Sequence, residues 1–275
     1  DSPPGAEVGM LRYNTTLDQM EHFNSGGWKD FTSVYCYNES LYSSSWPTTV
    51  TAFWNFNNNV YSNPTTYNPT STANLTYTAG KFGSAVYFNG TEGTGGTIVS
   101  GIPTALGTAI KDANGVGNGA FTFSVWLNPT QTAKPGTYDP DIVRFLENMY
   151  LRIIYLDGGT VQLYVNDSTS TTSSVTSAAL TPNQWTHICA TGSSNGIALY
   201  INGIKVGADS WNGTFQNYYN ANYSTTTIGC ARNFGGQPPL DPHSVFPGSM
   251  DQFRIFTSQL TDAQVLQLYN EVYCP

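Results

Sequence analysis

Charged residues are scarce in this chain. Lys, Arg, Asp and Glu make up 10% of its 275 residues, and ten Lys and Arg stand against 18 Asp and Glu, for a net charge of −8. No basic run is present that could neutralise a phosphate backbone, so we expect no nucleic-acid partner. No apolar run approaches the roughly 18 residues that span a bilayer, so we expect no membrane insertion.

Cysteine is equally scarce. Cys36, Cys189, Cys230 and Cys274 are too far apart in sequence for a local zinc motif. Four cysteines allow three pairings, and buried free thiols are an equally good interpretation. Cys36 and Cys274 lie just outside the regular segments, so a disulfide between them is the first pairing that we expect. Cys189 and Cys230 fall within strand patterns and are expected in the core.

Residues that could catalyse a reaction are also few. None of the six Glu has a carboxylate two or four positions away in a strand pattern. A retaining glycosidase needs such a pair, about 5–5.5 Å apart on one face. Asp139 and Asp141 have the spacing, but Pro140 between them predicts a solvated loop. The only candidate general bases are His22, His187 and His243. We therefore expect no catalytic activity.

Aromatic, hydroxyl and amide side chains are abundant instead. Phe, Trp and Tyr reach 14% of the composition, with 18 Tyr. Such a composition suits a rigid, β-rich protein whose surface is solvated by hydroxyls and amides. Seven Asn-x-Ser/Thr sequons fall at predicted turns or strand ends, and they make N-glycosylation a prediction although several would arise by chance. They are Asn14, Asn38, Asn74, Asn89, Asn166, Asn212 and Asn222.

Short strand patterns separated by turn signals run from Val50 onward. Many short strands at this spacing predict an antiparallel sandwich or barrel. Asn202-Gly203 predicts a two-residue hairpin turn. Trp126 alternates with small polar residues and is predicted to point inward. One helix is predicted over residues 261–272, where Thr261 and Gln264 form a capping box.

A small unit precedes these strands. Residues 9–31 alternate with period two around a turn at residues 25–27, which predicts a hairpin unit too short to be stable alone. A linker rich in Tyr and Ser ends at Trp46-Pro47. We therefore expect an N-terminal module and linker over residues 1–46 and a β-sandwich over residues 47–275.

Residues 47–275 resemble the laminin-G-like, concanavalin A-like domains. The segments that carry the resemblance occur in the order typical of that family, and they are residues 53–57, 80–90, 121–126, 184–188, 197–203 and 247–256. The resemblance implies an all-β fold, namely an antiparallel concanavalin A-like (laminin-G) β-sandwich or jelly roll. A short C-terminal helix and the N-terminal β-hairpin appendage complete the expected architecture. Some members of this family bind sugars, whereas others serve as spacers.

The same resemblance implies a calcium site. In many such domains the ligands are the Asp of the closing strand, here Asp251, and an acidic pair after the first strand, here Asn57 and Asn58. Two Asn in place of the acidic pair remove charge. A hydrogen bond from the backbone to Asp251 is therefore the alternative to a bound Ca²⁺ ion.

Residues 9–31 resemble a small module of tail-fibre, capsid-fibre and related virion proteins. The resemblance rests on the string from Gly9 to Thr16, on Glu21 after a bulky residue, and on the following Phe and Trp. It implies a homotrimer and contacts with other virion or fibre proteins. The residues expected to form the trimer contacts are Tyr13, Phe23 and Trp28.

Two functions remain open from the sequence, with a polysaccharide-active enzyme as a weak third. The first is a non-catalytic protein of the virion surface, a fibre or capsid-decorating component that recognises a host-surface glycan or receptor. The second is a secreted, extracellular carbohydrate-binding or adhesion module of a cellular organism. Aromatic faces beside amides are suited to sugars. The candidate ligand residues are Tyr138, Trp211, Tyr218, Tyr219, Arg232, Asn233 and His243.

Overall fold

The chain divides into two compact units, residues 1–46 with 270–275 and residues 47–269. The computed structural model describes residues 11–14, 19–24, 27–30, 50–100, 102, 106, 110, 119–145, 151–167, 169–215, 226–232 and 242–271.

The first unit contains an antiparallel sheet in the order β1-β2-β3. Its strands are β1 (Leu11–Asn14), β2 (Gln19–Asn24) and β3 (Gly27–Asp30). Tyr13 pairs with Met20, and Phe23 pairs with Trp28. These strands lie where the period-two alternation predicted them. The trimer, which needs contacts between subunits, stays a prediction.

The second unit is built from short strands and a C-terminal helix. The strands are β4 (Ala52–Trp54), β5 (Ser71–Ala73), β6 (Thr76–Ala79), β7 (Ser84–Asn89), β8 (Ile98–Ser100), β9 (Phe121–Pro129), β10 (Asp141–Phe145), β11 (Leu151–Tyr155), β12 (Thr160–Asn166), β13 (Thr172–Ala179), β14 (Thr186–Ser193), β15 (Gly196–Ile201), β16 (Ile204–Asp209), β17 (Thr227–Ile228), β18 (Ala231–Arg232), β19 (Pro242–His243) and β20 (Pro247–Phe256). The helix is α1 (Asp262–Tyr269), and single 3-10 turns lie at Thr65–Tyr67 and Gly93–Gly95. In the part of the chain that the structure describes, no helix is both long and apolar enough to cross a membrane.

Two antiparallel sheets dominate this unit. Among the described residues, the large sheet runs β16-β15-β14-β9-β20-β7-β6, with β4 also paired to β20. The small sheet runs β13-β12-β11-β10-β17. Strands distant in sequence, such as β9 and β20, are neighbours, as in a jelly roll. The architecture is the predicted antiparallel β-sandwich with a short C-terminal helix.

The core lies between the two sheets, and strand alternation places residues in it. In β12, Val161, Leu163 and Val165 are buried in the core cluster, whereas the residues between them are partly exposed. Because successive side chains in a strand point to opposite faces, β12 presents one apolar face to the large sheet and one polar face outward.

At its centre the large sheet is covered on both faces, so β9 is buried along almost its whole length. Phe123 and Val125 belong to the core cluster, and Trp126 between Val125 and Leu127 therefore lies on the opposite face. There its ring contacts Tyr269 of α1 at 5.7 Å and Phe82 at 6.1 Å between ring centres. The prediction that Trp126 points into the sandwich was wrong, because the helix builds a second buried layer.

Two local predictions are confirmed. Asn202 and Gly203 join β15 to β16 with φ angles of 51° and 77°, the left-handed conformation that a type I′ turn requires. At the start of α1, the Thr261 amide donates to Gln264 Oε1 at 2.8 Å, and the Gln264 amide donates back to Thr261 Oγ1 at 3.4 Å. This is the predicted capping box.

Candidate functional site

An open groove of about 550 Å³ lies on the outer face of the large sheet, beside the start of α1. Its volume is within the range of small-ligand sites, roughly 300–1,000 Å³. Ile197 and Leu199 of β15 face the core, so Ala198 and Tyr200 lie on the groove side. The lining residues are Asn195, Gly196, Ile197, Ala198, Tyr200, Lys205, Ala208, Asp209, Gln259, Leu260, Thr261, Asp262 and Ala263.

One wall of the groove is a network of three side chains. Tyr200 and Lys205 are partners across the β15–β16 hairpin. The Tyr200 hydroxyl donates to Asp262 Oδ1 at 2.8 Å, and Lys205 Nζ lies 2.8 Å from the same oxygen. The Lys205 ammonium also lies 5.4 Å from the centre of the Tyr200 ring. The network fixes three polar groups before any ligand binds.

The charges of this network stabilise each other. The hydrogen bond from Lys205, and then that from Tyr200, lowers the pKa of Asp262, while the hydrogen bond to Asp262 raises the pKa of Lys205. Burial is the main cause of the raised pKa of Tyr200. The side chains of Lys205 and Asp262 stay 41% and 68% exposed. A carboxylate and an ammonium therefore face solvent in fixed positions at neutral pH.

The floor of the groove is formed by small residues. Ala198 and Ala208 are cross-strand partners on β15 and β16, so no large side chain fills the space above them. At the other end, Gln259 Oε1 accepts a hydrogen bond from Ser193 Oγ at 2.5 Å. Asp209 is the cross-strand partner of Ile197, which faces the core, so its carboxylate points away from the groove and accepts the Ser174 amide of β13 at 3.0 Å. In the groove, hydroxyl-bearing ligands would meet the preformed acceptors and donors of Tyr200, Lys205 and Asp262.

The predicted ligand residue Trp211 lies in the core. It is 5% exposed, and its ring centre is 4.8 Å from that of Phe215 and 5.7 Å from that of Phe121. Its Nε1 donates to the Thr214 carbonyl at 2.9 Å. The indole therefore has neither an open face nor an unused donor, which removes Trp211 from the ligand candidates. In sequence, an aromatic residue that follows a polar strand end looks the same whether its ring is buried or exposed.

Tyr138 lies on a different surface, the loop between β9 and β10. It is 54% exposed. In the same loop Lys134 Nζ is 3.9 Å from Asp139 Oδ1, and the Asp157 amide of the β11–β12 turn donates to that oxygen at 3.3 Å. We name residues 130–140 and 156–159 the loop rim. The rim is an alternative site to the groove.

The other candidates are placed only in part. Arg232 and His243 belong to the paired strands β18 and β19, in which Ala231 is the partner of His243. Tyr218, Tyr219 and Asn233 lie outside the described residues. None of the predicted ligand residues within the described ranges lines the groove. The sequence does contain a signal for one wall of the groove, namely the Asn-Gly turn. This turn fixes the pairing of the two strands that it joins, and counting residues outward from it pairs Tyr200 with Lys205.

The oxygens expected to bind calcium accept hydrogen bonds from a turn instead. Asp251 Oδ2 accepts from the Phe82 amide at 2.8 Å, and Asn57 Oδ1 accepts from the Ser84 amide at 2.9 Å. The turn approaches so closely that a methyl group on Gly83 would lie 2.5 Å from Asn57 Oδ1. Asn58 is exposed.

The side-chain oxygens of these three residues do not suit a calcium ion. Calcium needs six to eight oxygens, several of them charged. Here two of the three expected side chains already hold backbone amides, and Asp251 is the only carboxylate of the three. In the described part of the chain, no group of three or more His, Cys, Asp or Glu could hold a metal ion. Calcium therefore stays a prediction from the resemblance.

Asp141 differs from the expected loop residue. It begins β10, is 0% exposed, and its Oδ1 lies 2.7 Å from Nη2 of Arg152. Burial raises the pKa of Asp141, and the charge of Arg152 acts in the opposite direction. Asp139 stays in the loop, as predicted. A strand can start directly after Pro140, because the fixed φ of proline is compatible with extended backbone. The prediction that Asp141 lies in a loop did not consider this possibility.

His187 is a structural residue. It is buried, its Nε2 lies 2.8 Å from Ser124 Oγ, and burial lowers its pKa to about 3. A buried serine and histidine on the covered face of the large sheet have no space for a substrate. The geometry therefore gives no support to nucleophilic catalysis at this pair.

The remaining predictions concern the cysteines and the glycosylation sites. Cys189 and Cys230 are buried, as predicted, and burial raises the pKa of the Cys189 thiol. Cys36 and Cys274 lie outside the described residues, so their disulfide stays a prediction. Asn74, Asn89 and Asn212 are exposed. Asn166 is partly exposed, the backbone of Asn14 lies in β1, and Asn38 and Asn222 are outside the described residues. Glycosylation stays a prediction at all seven.

Comparison with solved structures gives relatives at low sequence identity. Domain 4 of AbnA, a GH43 extracellular arabinanase from Geobacillus stearothermophilus solved in complex with arabinotriose, is 19% identical with a TM-score of 0.57. The match covers 81% of this chain and 99% of that domain. A search of the curated proteins gave no match.

Two clostridial toxin structures are also similar. The binding domain of Paraclostridial Mosquitocidal Protein 1 is 19% identical, with a TM-score of 0.59 and 81% of this chain covered. Botulinum neurotoxin type C, whose cell entry depends on interaction with two ganglioside molecules, is 13% identical, with a TM-score of 0.58 and 85% covered. The match covers 52% of each toxin chain, so this chain corresponds to about half their length.

The family assignment rests on the sequence of the second unit. Residues 106–266, more than half of the chain, match the Laminin_G_3 family of concanavalin A-like lectins and glucanases. This range includes most of both sheets and the start of α1. The protein therefore belongs to the concanavalin A-like lectin/glucanase superfamily.

Proposed function

We propose that this chain is a non-catalytic, extracellular carbohydrate-binding module and that the groove beside α1 holds the sugar. The observation that carries the proposal is the fixed network of Tyr200, Lys205 and Asp262 beside a floor of alanines. Charged hydrogen-bonding groups around an open groove are suited to bind the hydroxyls of a sugar. The AbnA domain solved with arabinotriose and the toxin binding domains support the same function class.

The absence of catalysis is part of the proposal. Among the described carboxylates, Asp141 is committed to Arg152, and Asp251 accepts the Phe82 amide. Asp262 shares one oxygen with Lys205 and Tyr200. None of these is paired with a second carboxylate in the way that glycoside hydrolysis requires. Release of reducing ends from a panel of β-glucans and arabinans would contradict this part of the proposal.

Filling the groove should abolish sugar binding. The exposed Ala208 lies in β16, an edge strand of the large sheet, so Ala208→Trp can place an indole over the floor without entering the core. We expect at least a tenfold loss of affinity by calorimetry for any oligosaccharide that a glycan array first identifies. Ala178→Trp is the matched control, because Ala178 is an exposed alanine in β13, an edge strand of the small sheet.

A second variant separates the groove from the loop rim. Tyr138→Ala removes the exposed ring of the rim and should leave affinity within about twofold. Loss of binding in Tyr138→Ala, with Ala208→Trp unaffected, would move the site to the rim. Absence of saturable binding to every member of the array would overturn the proposed function.

We further propose that this module works on a virion or fibre surface, where it recognises a host glycan or receptor. The support is the three-stranded sheet β1-β2-β3, which precedes the sandwich in sequence and is formed by the segment that resembles fibre proteins. We expect the purified full chain to have three times its monomer mass by light scattering. Trp28→Ala should lower that mass, and Trp185→Ala in the sandwich should not. A monomer that is absent from purified particles would favour the secreted cellular module.

A further inference from the structure

Asparagine stands directly before glycine at six positions of the chain, and two of these pairs lie outside the described residues. Asparagine in this context readily loses its side-chain amide, because glycine has no Cβ to hinder the approach of its backbone nitrogen to the asparagine side chain. The asparagines of the described pairs are Asn89, Asn195, Asn202 and Asn212, and those of the other two are Asn114 and Asn118.

The fold controls how fast each pair can react. The asparagine side chain must rotate until its Cγ meets the nitrogen of the glycine, and that nitrogen must leave any hydrogen bond that it makes. A side chain held by several hydrogen bonds, or a turn packed beneath another element, is therefore protected until it opens locally. The four described pairs differ in both respects.

Two of the four side chains are fixed by their own hydrogen bonds. Asn89 Nδ2 donates to the Gly95 carbonyl at 2.8 Å, and Asn212 Nδ2 donates to Asp167 Oδ2 at 3.1 Å. In both residues, Oδ1 also accepts the backbone amide of the residue two positions further on, at 3.0 and 2.9 Å respectively. Rotation of either side chain therefore breaks at least two hydrogen bonds.

Asn202 is held by the neighbouring strand and by the helix. Its Oδ1 accepts the His187 amide at 2.9 Å, and its own amide donates to the His187 carbonyl at 2.8 Å. Gly203 lies so close to α1 that a methyl group there would be 2.9 Å from Leu266 Cδ1 and 3.2 Å from Tyr269 Cβ. Opening of this turn therefore disturbs the packing of the helix.

Asn195 has none of these restraints. It is exposed in the turn between β14 and β15. Its backbone amide donates to Ser193 Oγ at 3.1 Å, whereas its side chain makes no hydrogen bond in the part of the chain that the structure describes. Gly196 pairs with Ser193 directly beside this exposed turn, where local opening costs little free energy.

The hairpin requires the glycine that makes this asparagine reactive. Gly196 has a φ of 109°, a conformation that residues with a side chain rarely adopt. A methyl group there would also lie 2.6 Å from the carbonyl oxygen of Asp209. The reactive pair therefore follows from the backbone geometry at this end of the groove.

We infer that Asn195 is a site of spontaneous deamidation at the end of the groove. The Gly196 nitrogen loses its proton and forms a bond to Cγ of Asn195, the bond from Cγ to Nδ2 breaks, and the nitrogen leaves as ammonia with that proton. Water then opens the cyclic imide and gives aspartate or isoaspartate. Both products place a carboxylate among the lining residues of the groove, where a neutral amide stood. The reaction is independent of sugar binding.

The test compares the described pairs in the folded and in the unfolded full chain. Peptide mass spectrometry measures the loss of each amide during incubation at pH 8, in buffer and in guanidinium chloride. The rate in denaturant divided by the rate in buffer gives the protection of each pair and removes the influence of neighbouring residues. We expect the protection at Asn195 to be at least about fivefold weaker than at Asn89, Asn202 and Asn212. Equal protection of all four, or weaker protection at Asn202, would overturn the inference.

A variant tests the physical cause of the difference. Leu266→Ala removes a side chain that covers Gly203, so it should speed the reaction at Asn202 and leave the rate at Asn195 within about twofold. Equal acceleration at both asparagines would mean that global unfolding limits the reaction, and this outcome would also overturn the inference.

Discussion

Replacing Arg152 by Met is expected to lower the free energy of unfolding by about 3–5 kcal/mol. Asp141 is 0% exposed, and Arg152 contacts its Oδ1 through both Nε and Nη2 at 2.7 Å. The remaining cation, Arg144, lies 3.8 Å from Oδ2, beyond hydrogen-bond distance. Without Arg152 a buried carboxylate therefore keeps only one weak partner. Urea unfolding followed by tryptophan fluorescence measures the change.

Two controls distinguish the buried pair from a surface one. Lys134→Met breaks the pair between Lys134 and Asp139, whose side chains are 35% and 39% exposed. We expect that change to have an effect below about 1 kcal/mol. The double variant Arg152→Met with Asp141→Leu removes both charges and should recover most of the lost stability. An Arg152→Met effect as small as that of Lys134→Met would contradict a structural role for the pair.

Two buried groups of the large sheet are expected to give opposite pH dependences of stability. Burial raises the pKa of Asp251 to about 7, so the folded state holds this proton more tightly than the unfolded state does. That contribution is fully present below the ordinary pKa of 3.8 and is lost as the pH rises to about 7. Burial lowers the pKa of His187 to about 3 from 6.5, so its contribution is lost as the pH falls through that interval.

Single variants should reveal the pH dependence of stability that each group contributes. The two slopes oppose each other between pH 4.5 and 6.5, and the positive charge of Arg254 acts on both groups. In Asp251→Asn, the pH dependence due to His187 remains, so the free energy of unfolding should fall by about 2 kcal/mol from pH 6.5 to 4.5. In His187→Gln, stability should rise over the same interval. Asn at position 251 retains an oxygen that can accept the Phe82 amide.

The measurement is urea unfolding of the two variants and the unaltered chain at closely spaced pH values. Contributions of other carboxylates and histidines are common to all three proteins, so the differences between curves isolate the two groups. Parallel curves for the two variants would contradict the assigned shifts.

Local sequence rules accounted for much of the fold. The two-residue turn at Asn202-Gly203 and the capping box of Thr261 with Gln264 depend on residues at most three positions apart. In β12 and β13 the alternation of apolar and polar residues matches the buried and exposed sides, because one face of each strand is open to solvent. The family resemblance added the order of the strands.

Alternation failed where both faces of a strand are covered. Thr122, Ser124 and Trp126 alternate with Phe123 and Val125 in β9, and all five are buried. The pattern distinguishes two faces but does not identify which of them is the core when a helix covers the other. The large ring of Trp126 therefore suggested the wrong side. Trp211 failed for a related reason, since an aromatic residue near a strand end suits the core and the surface equally.

The sequence by itself determined an antiparallel β-sandwich, a hairpin with its turn at Asn202-Gly203, and a capped helix predicted over residues 261–272. Only the tertiary structure brought Asp262 onto that hairpin, across 62 residues from Tyr200. Hydrogen bonds over such a separation follow from how α1 packs on the large sheet through Val265 and Leu268, and no local pattern encodes that arrangement. The groove exists because only small side chains, those of Ala198 and the exposed Ala208, lie between the helix start and the sheet edge along this pair of strands.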